Sequence, residues 1–262
     1  MFGEPETFDP VTIPLWIDLL AVFAGGLSGA LIAIRNRFDV GGVIVIALVS
    51  GLGGGIIRDV LIGAGPPAAL RNPDYLYTAL GAAAVGFLFR QFVGRVNRYF
   101  VPIDAASLGL YTFVGMQKGL NFELPLVTAA MLGIITATGG GLLRDVLSGE
   151  VPNVLRPGHL SMTASIVGTA VYAALYQLGV PGYIDLWIVL AVVMSLRLAS
   201  EYFGWTTPEA SVAHEQMAAM GGSLLTAPRR FHPGARRRPD ETGGSAAPAS
   251  SPPDLTREDE RD

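Results

Sequence analysis

Residues 53–61 read GGGIIRDVL, and residues 139–147 read GGGLLRDVL. Both copies lie in apolar stretches long enough to cross a bilayer as helices. Three consecutive glycines weaken a helix by about 1 kcal/mol each relative to alanine, and an Arg-Asp pair is costly close to hydrocarbon. Interrupted helices at matching places in two halves of a membrane protein indicate a transport pathway. We therefore expect helices that break or kink at Gly53, Gly54 and Gly55, and again at Gly139, Gly140 and Gly141.

The composition is that of a membrane protein. Half of the 262 residues are apolar, only 15% are charged, and the mean hydropathy is +0.44, which leaves too little charge for a soluble surface. Cysteine is absent, so disulfides, thiolate metal sites and cysteine nucleophiles are excluded. His159, His214 and His232 show no ligand spacing, so we expect no metal site and no cofactor. Neither a nucleophile–base pair nor a phosphate loop is found, so we expect neither an enzyme nor a nucleic-acid partner.

About 20 apolar residues cross the hydrocarbon as a helix, and this measure predicts seven spans. They cover residues 13–34, 41–62, 73–93, 101–119, 125–147, 159–178 and 184–203. Residues 1–12 would precede the membrane. Residues 204–262 would form a tail, largely disordered because its Pro, Gly, Ser and mixed charge cannot bury a core.

Basic residues in short loops predict the orientation. The loops after the first, third and fifth spans hold more of them than the loops on the other side: Arg35 and Arg37, then Arg90, Arg95 and Arg98, then Arg156. We therefore expect a multi-pass protein of the bacterial inner membrane, with its N-terminus outside and its C-terminus in the cytoplasm.

The two glycine motifs belong to an internal repeat with an offset of 86 residues. Nine of the 14 positions in 53–66 are identical in 139–152. The predicted repeats are residues 13–93 and 101–178, with 184–203 as a seventh helix. Each repeat holds three spans, and an odd number inverts the second repeat relative to the first. The expected fold is thus all-α, with two inverted three-helix repeats whose triplets meet near the membrane midplane.

Backbone exposed at a helix break can serve a permeating ion. Free carbonyl groups can replace the water around a cation, and free N–H groups favour anions. The pore-associated charges would be Arg58, Asp59, Arg144 and Asp145, and the candidate pore polar side chains are Ser28, Lys118 and Thr138. Two alternatives stay open at this point. Glycine triplets also permit close helix packing, and the Arg-Asp pairs could be structural ion pairs at helix ends.

The paired motif, with Val-Leu after each Asp and a Pro further on (Pro66, Pro152), resembles the signature of the prokaryotic trimeric intracellular cation (TRIC) channels. This family is also described as an uncharacterised or glycine transporter domain that occurs twice per chain. The resemblance covers roughly residues 15–203. It implies a homotrimer in which each protomer has its own pore, kinked at the triplets, and passes monovalent cations, chiefly potassium.

The leading hypothesis is therefore a passive channel for K⁺ and Na⁺ in contact with membrane lipids. The alternative is a secondary transporter of a small neutral amino acid such as glycine, whose carboxylate the half-helix N-termini could hold. A third hypothesis is a trimeric scaffold that conducts nothing.

Overall fold

The computed structural model describes residues 14–88, 96–156, 160–180 and 182–205. This part of the chain folds into eight α-helices with short connections. They are α1 (Leu15–Arg35), α2 (Val40–Leu61), α3 (Ala68–Arg71), α4 (Pro73–Leu88), α5 (Val96–Asn121), α6 (Leu126–Leu147), α7 (Ser161–Gln177) and α8 (Gly182–Phe203). The predicted all-helical class is confirmed.

Five of these helices are long and apolar enough to cross a membrane: α1, α2, α5, α6 and α8. Helix α4 has 16 residues and α7 has 17, somewhat fewer than the roughly 20 that a full crossing takes. The predicted spans 73–93 and 159–178 include residues 89–93 and 159, which lie outside the described residues. Arg90, Arg95, residues 1–13 and the tail from 206 onward lie outside them as well.

The prediction that the helices break at the glycine triplets is wrong. Helix α2 stays α-helical through Gly53, Gly54 and Gly55, and α6 does so through Gly139, Gly140 and Gly141. In an unbroken helix the backbone N–H and C=O groups bond to one another. This internal bonding is necessary in hydrocarbon, where there is no water to bond them. The triplets are instead accounted for by the alternative left open above, close helix packing.

The two triplets pack against each other where α2 and α6 meet. A Cβ atom added to Gly54 would collide with the backbone carbonyl oxygen of Thr136, and one added to Gly140 would collide with that of Ser50. Only glycine permits backbones to approach so closely. The van der Waals attraction between the two closely packed backbones offsets the low helix propensity of the triplets.

Contacts within each repeat follow the same offset of 86 residues. Gly29 of α1 packs on Ser50 of α2, where a Cβ atom added to the glycine would lie 2.6 Å from the Cβ of Ser50. Gly115 of α5 packs on Thr136 of α6, where an added Cβ atom would lie 2.7 Å from the Cβ of Thr136. Helices α1 and α2 therefore pair in the same register as α5 and α6.

Helix α8 follows both repeats and packs on α5 and α7. Its inner face presents Leu186, Val189 and Val193, each at most 1% exposed. The same face carries Asp185 and Arg197, which are also buried. Charged residues on the buried face of a membrane helix are costly unless they are paired or functional.

Candidate functional site

A buried ion pair follows the glycine triplet of α2. Arg58 Nε donates to Asp59 Oδ1 at 2.9 Å, and the two side chains are 1% and 2% exposed. Asp59 Oδ2 accepts the backbone N–H of Ala68 at 2.8 Å, which fixes the loop after α2. Arg58 Nη2 also lies 3.6 Å from Asp18 Oδ2 on α1. The pair thus joins α1, α2 and α3.

Two further elements contribute to this group. Lys118 Nζ of α5 lies 2.8 Å from Asp59 Oδ1, and the hydroxyl of Tyr75 in α4 donates to Asp18 Oδ2 at 2.6 Å. We call Asp18, Arg58, Asp59 and Lys118 the first charge cluster. It holds two carboxylates and two cations, so it is electrically balanced.

The second triplet is followed by a matching arrangement. Arg144 Nε donates to Asp145 Oδ1 at 2.8 Å, and Arg144 Nη1 donates to Asp104 Oδ1 of α5 at 2.7 Å. Asp145 Oδ2 accepts the backbone N–H of Asn153 at 2.8 Å. The Ser28 hydroxyl of α1 donates to Asp104 Oδ1 at 2.9 Å and accepts from Arg144.

We call Asp104, Arg144 and Asp145 the second charge cluster. Asp104 stands 86 positions after Asp18, so the two clusters are built on the same plan. The second has two carboxylates and one bonded guanidinium, and therefore carries one net negative charge. Position 32, which corresponds to Lys118 in the first repeat, holds a buried isoleucine instead of a lysine.

Each cluster borders a cavity. The cavity beside the second cluster has a volume of about 30 Å³, and the one beside the first about 10 Å³. A water molecule needs roughly 10–15 Å³ of such space and two to four polar partners. The larger cavity meets both conditions. Its polar lining includes Ser28, Ser50, Asp104, Ser107, Thr138 and Ser161.

One hydroxyl in the larger cavity is unsatisfied. Ser161 Oγ, in the first turn of α7, is buried and has no hydrogen-bond partner among the described residues. Thr138 differs, because its Oγ1 already donates to the carbonyl oxygen of Ile134 in its own helix at 2.8 Å. A buried hydroxyl without a partner is costly, so Ser161 favours a bound water or ion in this cavity.

Beyond the second cluster, two guanidinium groups lie close to one aromatic ring. The Cζ atoms of Arg144 and Arg35 lie 5.2 and 6.0 Å from the centroid of Phe100. Arg35 also donates to Glu150 Oε1 at 2.8 Å, and the Asn36 amide donates to the same oxygen at 2.9 Å. Partial burial acts to raise the pKa of Glu150, but these hydrogen bonds hold the pKa below its ordinary value. The loops after α1 and α6 are joined here.

The structure brings most of the predicted site residues together. The two triplets meet, Lys118 lies in the first cluster, and Ser28 and Thr138 border the cavity of the second. The prediction did not include Asp18, Asp104, Tyr75 or Arg197. The offset of 86 residues between Asp18 and Asp104, both in apolar helices, was a signal that could have found these two. The described residues contain no group of three or more His, Asp or Glu side chains placed to hold a metal ion.

Comparison with known proteins places this arrangement in context. A family model described as "Glycine transporter" matches residues 15–91 and again 101–177, one match for each repeat. The chain is 33% identical over 187 residues to the UPF0126 inner membrane protein YadS of Escherichia coli K12, which covers 71% of this chain and 90% of that protein. A UPF0126 membrane protein of Deinococcus radiodurans is 39% identical over 154 residues, 58% of this chain and 72% of that one.

Solved structures are similar over nearly their whole length. One is a TRIC trimeric intracellular cation channel orthologue from Rhodobacter sphaeroides, at 32% identity and a TM-score of 0.69, covering 73% of this chain and 98% of that chain. Another, from work on conductance through TRIC cation channels, has 30% identity and a TM-score of 0.66, and covers 76% of this chain and 97% of its own.

Proposed function

We propose that this chain, which belongs to the Glycine transporter family and shares the fold of the prokaryotic TRIC channels, is a non-enzymatic channel for monovalent cations, chiefly potassium. The two repeated motifs already resembled the TRIC signature, and the comparisons confirm that resemblance. Its named inner-membrane relatives support the same location for this chain.

The second charge cluster is the observation that carries the proposal. It places one net negative charge beside a polar cavity of about 30 Å³ inside a helical membrane protein. Buried charge at membrane depth marks ion pathways, and oxygen-lined cavities replace the hydration shell of cations. In this proposal Asp104 attracts the ion. The hydroxyl of Ser161 serves as an oxygen contact for it, and the hydroxyl of Ser28 orients the Asp104 carboxylate.

The clusters also support an inverted repeat. Asp18, near the start of α1, meets Arg58 at the end of α2, whereas Ser28 meets Arg144 at the end of α6. Ser28 lies ten residues further along α1, roughly 15 Å of helix rise. The ends of α2 and α6 therefore lie at different levels along α1, as in two antiparallel helices. We propose seven crossings, with residues 13–93 and 101–178 as inverted repeats and 184–203 as the last helix.

The remaining parts of the proposal follow from this plan. Both cavities lie within one chain, so each protomer of a homotrimer would hold its own pathway. The glycine triplets would hold α2 and α6 at close distance, and Arg58, Asp59, Arg144 and Asp145 would fix the two helix ends. We also propose that the N-terminus lies outside, that residues 204–262 form a cytoplasmic tail, and that membrane lipids surround the trimer.

Recording from planar bilayers tests this function. Purified protein in a KCl gradient should give discrete currents that reverse near the potassium equilibrium potential. Asp104→Asn should lower the current more than Asp18→Asn, since Asp18 belongs to the balanced cluster. Silent bilayers with folded trimeric protein, or reversal at the chloride potential, would overturn the proposal.

A secondary transporter of a small neutral amino acid is the second candidate. The family description favours it, and so does Ser161, which lies in the first turn of α7 and lines the same cavity as Arg144. A guanidinium and a helix N-terminus can together hold a carboxylate. Saturable glycine uptake into proteoliposomes that requires an ion gradient would support this candidate, and uptake that is absent while potassium current is present would exclude it.

A further inference from the structure

Arg197 of α8 is a buried cation that the proposed function does not use. The residue is 1% exposed, and its Nε and Nη1 have no hydrogen-bond partner among the described residues. Its ion pair is a 3.6 Å contact between Nη1 and Glu201 Oε2, and the Glu201 side chain is 48% exposed. A contact of that length to a half-exposed carboxylate compensates little of the cost of burying a guanidinium.

A second carboxylate lies within electrostatic reach of this guanidinium. Arg197 interacts electrostatically with Asp104 of the second cluster, and α8 packs directly on α5, which carries Asp104. Gly109 of α5 permits this approach, because its Cβ position would lie 3.3 Å from the Cα of Leu190 in α8. The negative charge of the second cluster is therefore available to stabilise Arg197 without a direct hydrogen bond.

Comparison of the two clusters shows what Arg197 adds. Lys118 balances the first cluster through a direct contact of 2.8 Å to Asp59. Arg197 offsets part of the net negative charge of the second cluster from a distance, and from a helix outside both repeats. A cation entering the larger cavity would meet the field of Asp104 reduced by that of Arg197.

We propose that Arg197 is a selectivity-determining residue, whose charge limits how strongly the cavity beside Asp104 holds a monovalent cation. The proposal rests on the proposed function, because it assigns a cation to that cavity. Two unit charges about 10 Å apart in a protein interior interact strongly enough to change an affinity about tenfold. Removing the charge should therefore strengthen cation binding by about that factor.

The first measurement is electrical. In a KCl gradient, Arg197→Gln should raise the ratio of potassium to chloride permeability about tenfold, and Arg197→Lys should keep the wild-type ratio. Arg197→Met is a second neutral variant that suits an apolar helix face, in case the glutamine variant does not fold. Glu201→Gln is the matched control, since it removes the ion pair of Arg197 but leaves the charge of Arg197 in place, and its ratio should stay at the wild-type value.

The second measurement does not need current. Thermal unfolding of the detergent-purified protein is followed over a KCl titration, with N-methylglucamine chloride as the reference salt. In Arg197→Gln the potassium-dependent rise in unfolding temperature should begin at about one tenth of the potassium concentration that the wild type needs. If the bilayers show no current, the channel proposal is wrong, but the potassium dependence of unfolding still tests the role of Arg197.

Three outcomes would overturn the proposal. The first is a neutral variant with the wild-type permeability ratio and potassium dependence. The second is Arg197→Lys changing both as much as Arg197→Gln does, which would make side-chain shape the cause. The third is Glu201→Gln reproducing the neutral variant, which would assign the effect to the pair of Arg197 and Glu201.

Discussion

Lys118 Nζ lies 2.8 Å from Asp59 Oδ1 and joins the end of α5 to the end of α2. The lysine side chain is 20% exposed and the aspartate 2%. Asp59 also keeps its bonds to Arg58 and to the backbone of Ala68. Lys118 is thus the replaceable member of the first cluster, and Asp59 is the member on which the others depend.

Replacement of these two residues should have unequal effects on stability. Lys118→Met should cost about 1 kcal/mol or less, because a partly exposed ion pair contributes little. Asp59→Asn should cost roughly 3–5 kcal/mol, because it leaves the buried guanidinium of Arg58 with only the 3.6 Å contact to Asp18. Thermal unfolding in detergent measures both. Equal losses would show that Lys118 is as essential to the cluster as Asp59.

The glycine triplets offer a matched pair of substitutions. Gly54→Ala should destabilise the protein by about 1–3 kcal/mol, because its Cβ would collide with the carbonyl oxygen of Thr136. Gly55→Ala should be neutral or stabilising by up to about 1 kcal/mol, because the nearest atom is the Arg58 Nη2 at 3.7 Å. Unfolding temperatures compare the two variants. A milder effect at Gly54 than at Gly55 would contradict the close packing of α2 on α6.

Hydroxyl groups of the larger cavity should differ in their effect on conduction. Ser28→Ala removes a hydroxyl that donates to Asp104 and accepts from Arg144, so we expect a unitary potassium conductance that is several-fold lower. Thr138→Val should leave conductance near the wild-type value, since Thr138 Oγ1 is already bonded to the Ile134 carbonyl oxygen. Single-channel recording measures both. A larger loss of conductance in Thr138→Val than in Ser28→Ala would place the ion pathway beside Thr138 instead.

The contact between Arg35 and Glu150 predicts a dependence of stability on pH. The pKa of Glu150 is held below its ordinary value of 4.5, so the folded state favours the charged carboxylate. The stabilisation is therefore present above about pH 4.5 and is lost as the pH falls through the lowered pKa. Unfolding temperatures of the wild type and Glu150→Gln should differ most near pH 7 and converge in acid. A difference that grows below pH 4 would contradict the assignment.

Much of the fold could be predicted because its signals are local. The apolar lengths indicated membrane helices, and the offset of 86 residues indicated two equivalent units. The state of the triplets could not be predicted in this way. A glycine run alone does not distinguish a broken helix from a closely packed one. The difference depends on the carbonyl groups of Ser50 and Thr136, which lie against the triplets from the opposing helix.

The site was predicted only in part for a similar reason. Arg58 and Arg144 stand out because they sit in a repeated motif, whereas Asp18 and Asp104 are single acids in helices α1 and α5. They belong to the site because the fold places them beside the two arginines. The role of Arg197 could not be assigned from the sequence of α8, since the carboxylate with which it interacts, that of Asp104, is on α5.

The contact of Gly54 with Gly140 has a mechanical consequence. Helices that touch backbone to backbone, with no side chain between them, have no compressible layer at that point. Their separation there is set by hard contact, so the crossing is the fixed point of this helix pair. Any rearrangement of α2 against α6 would have to pivot there, because the distance between the two backbones cannot shrink at the crossing.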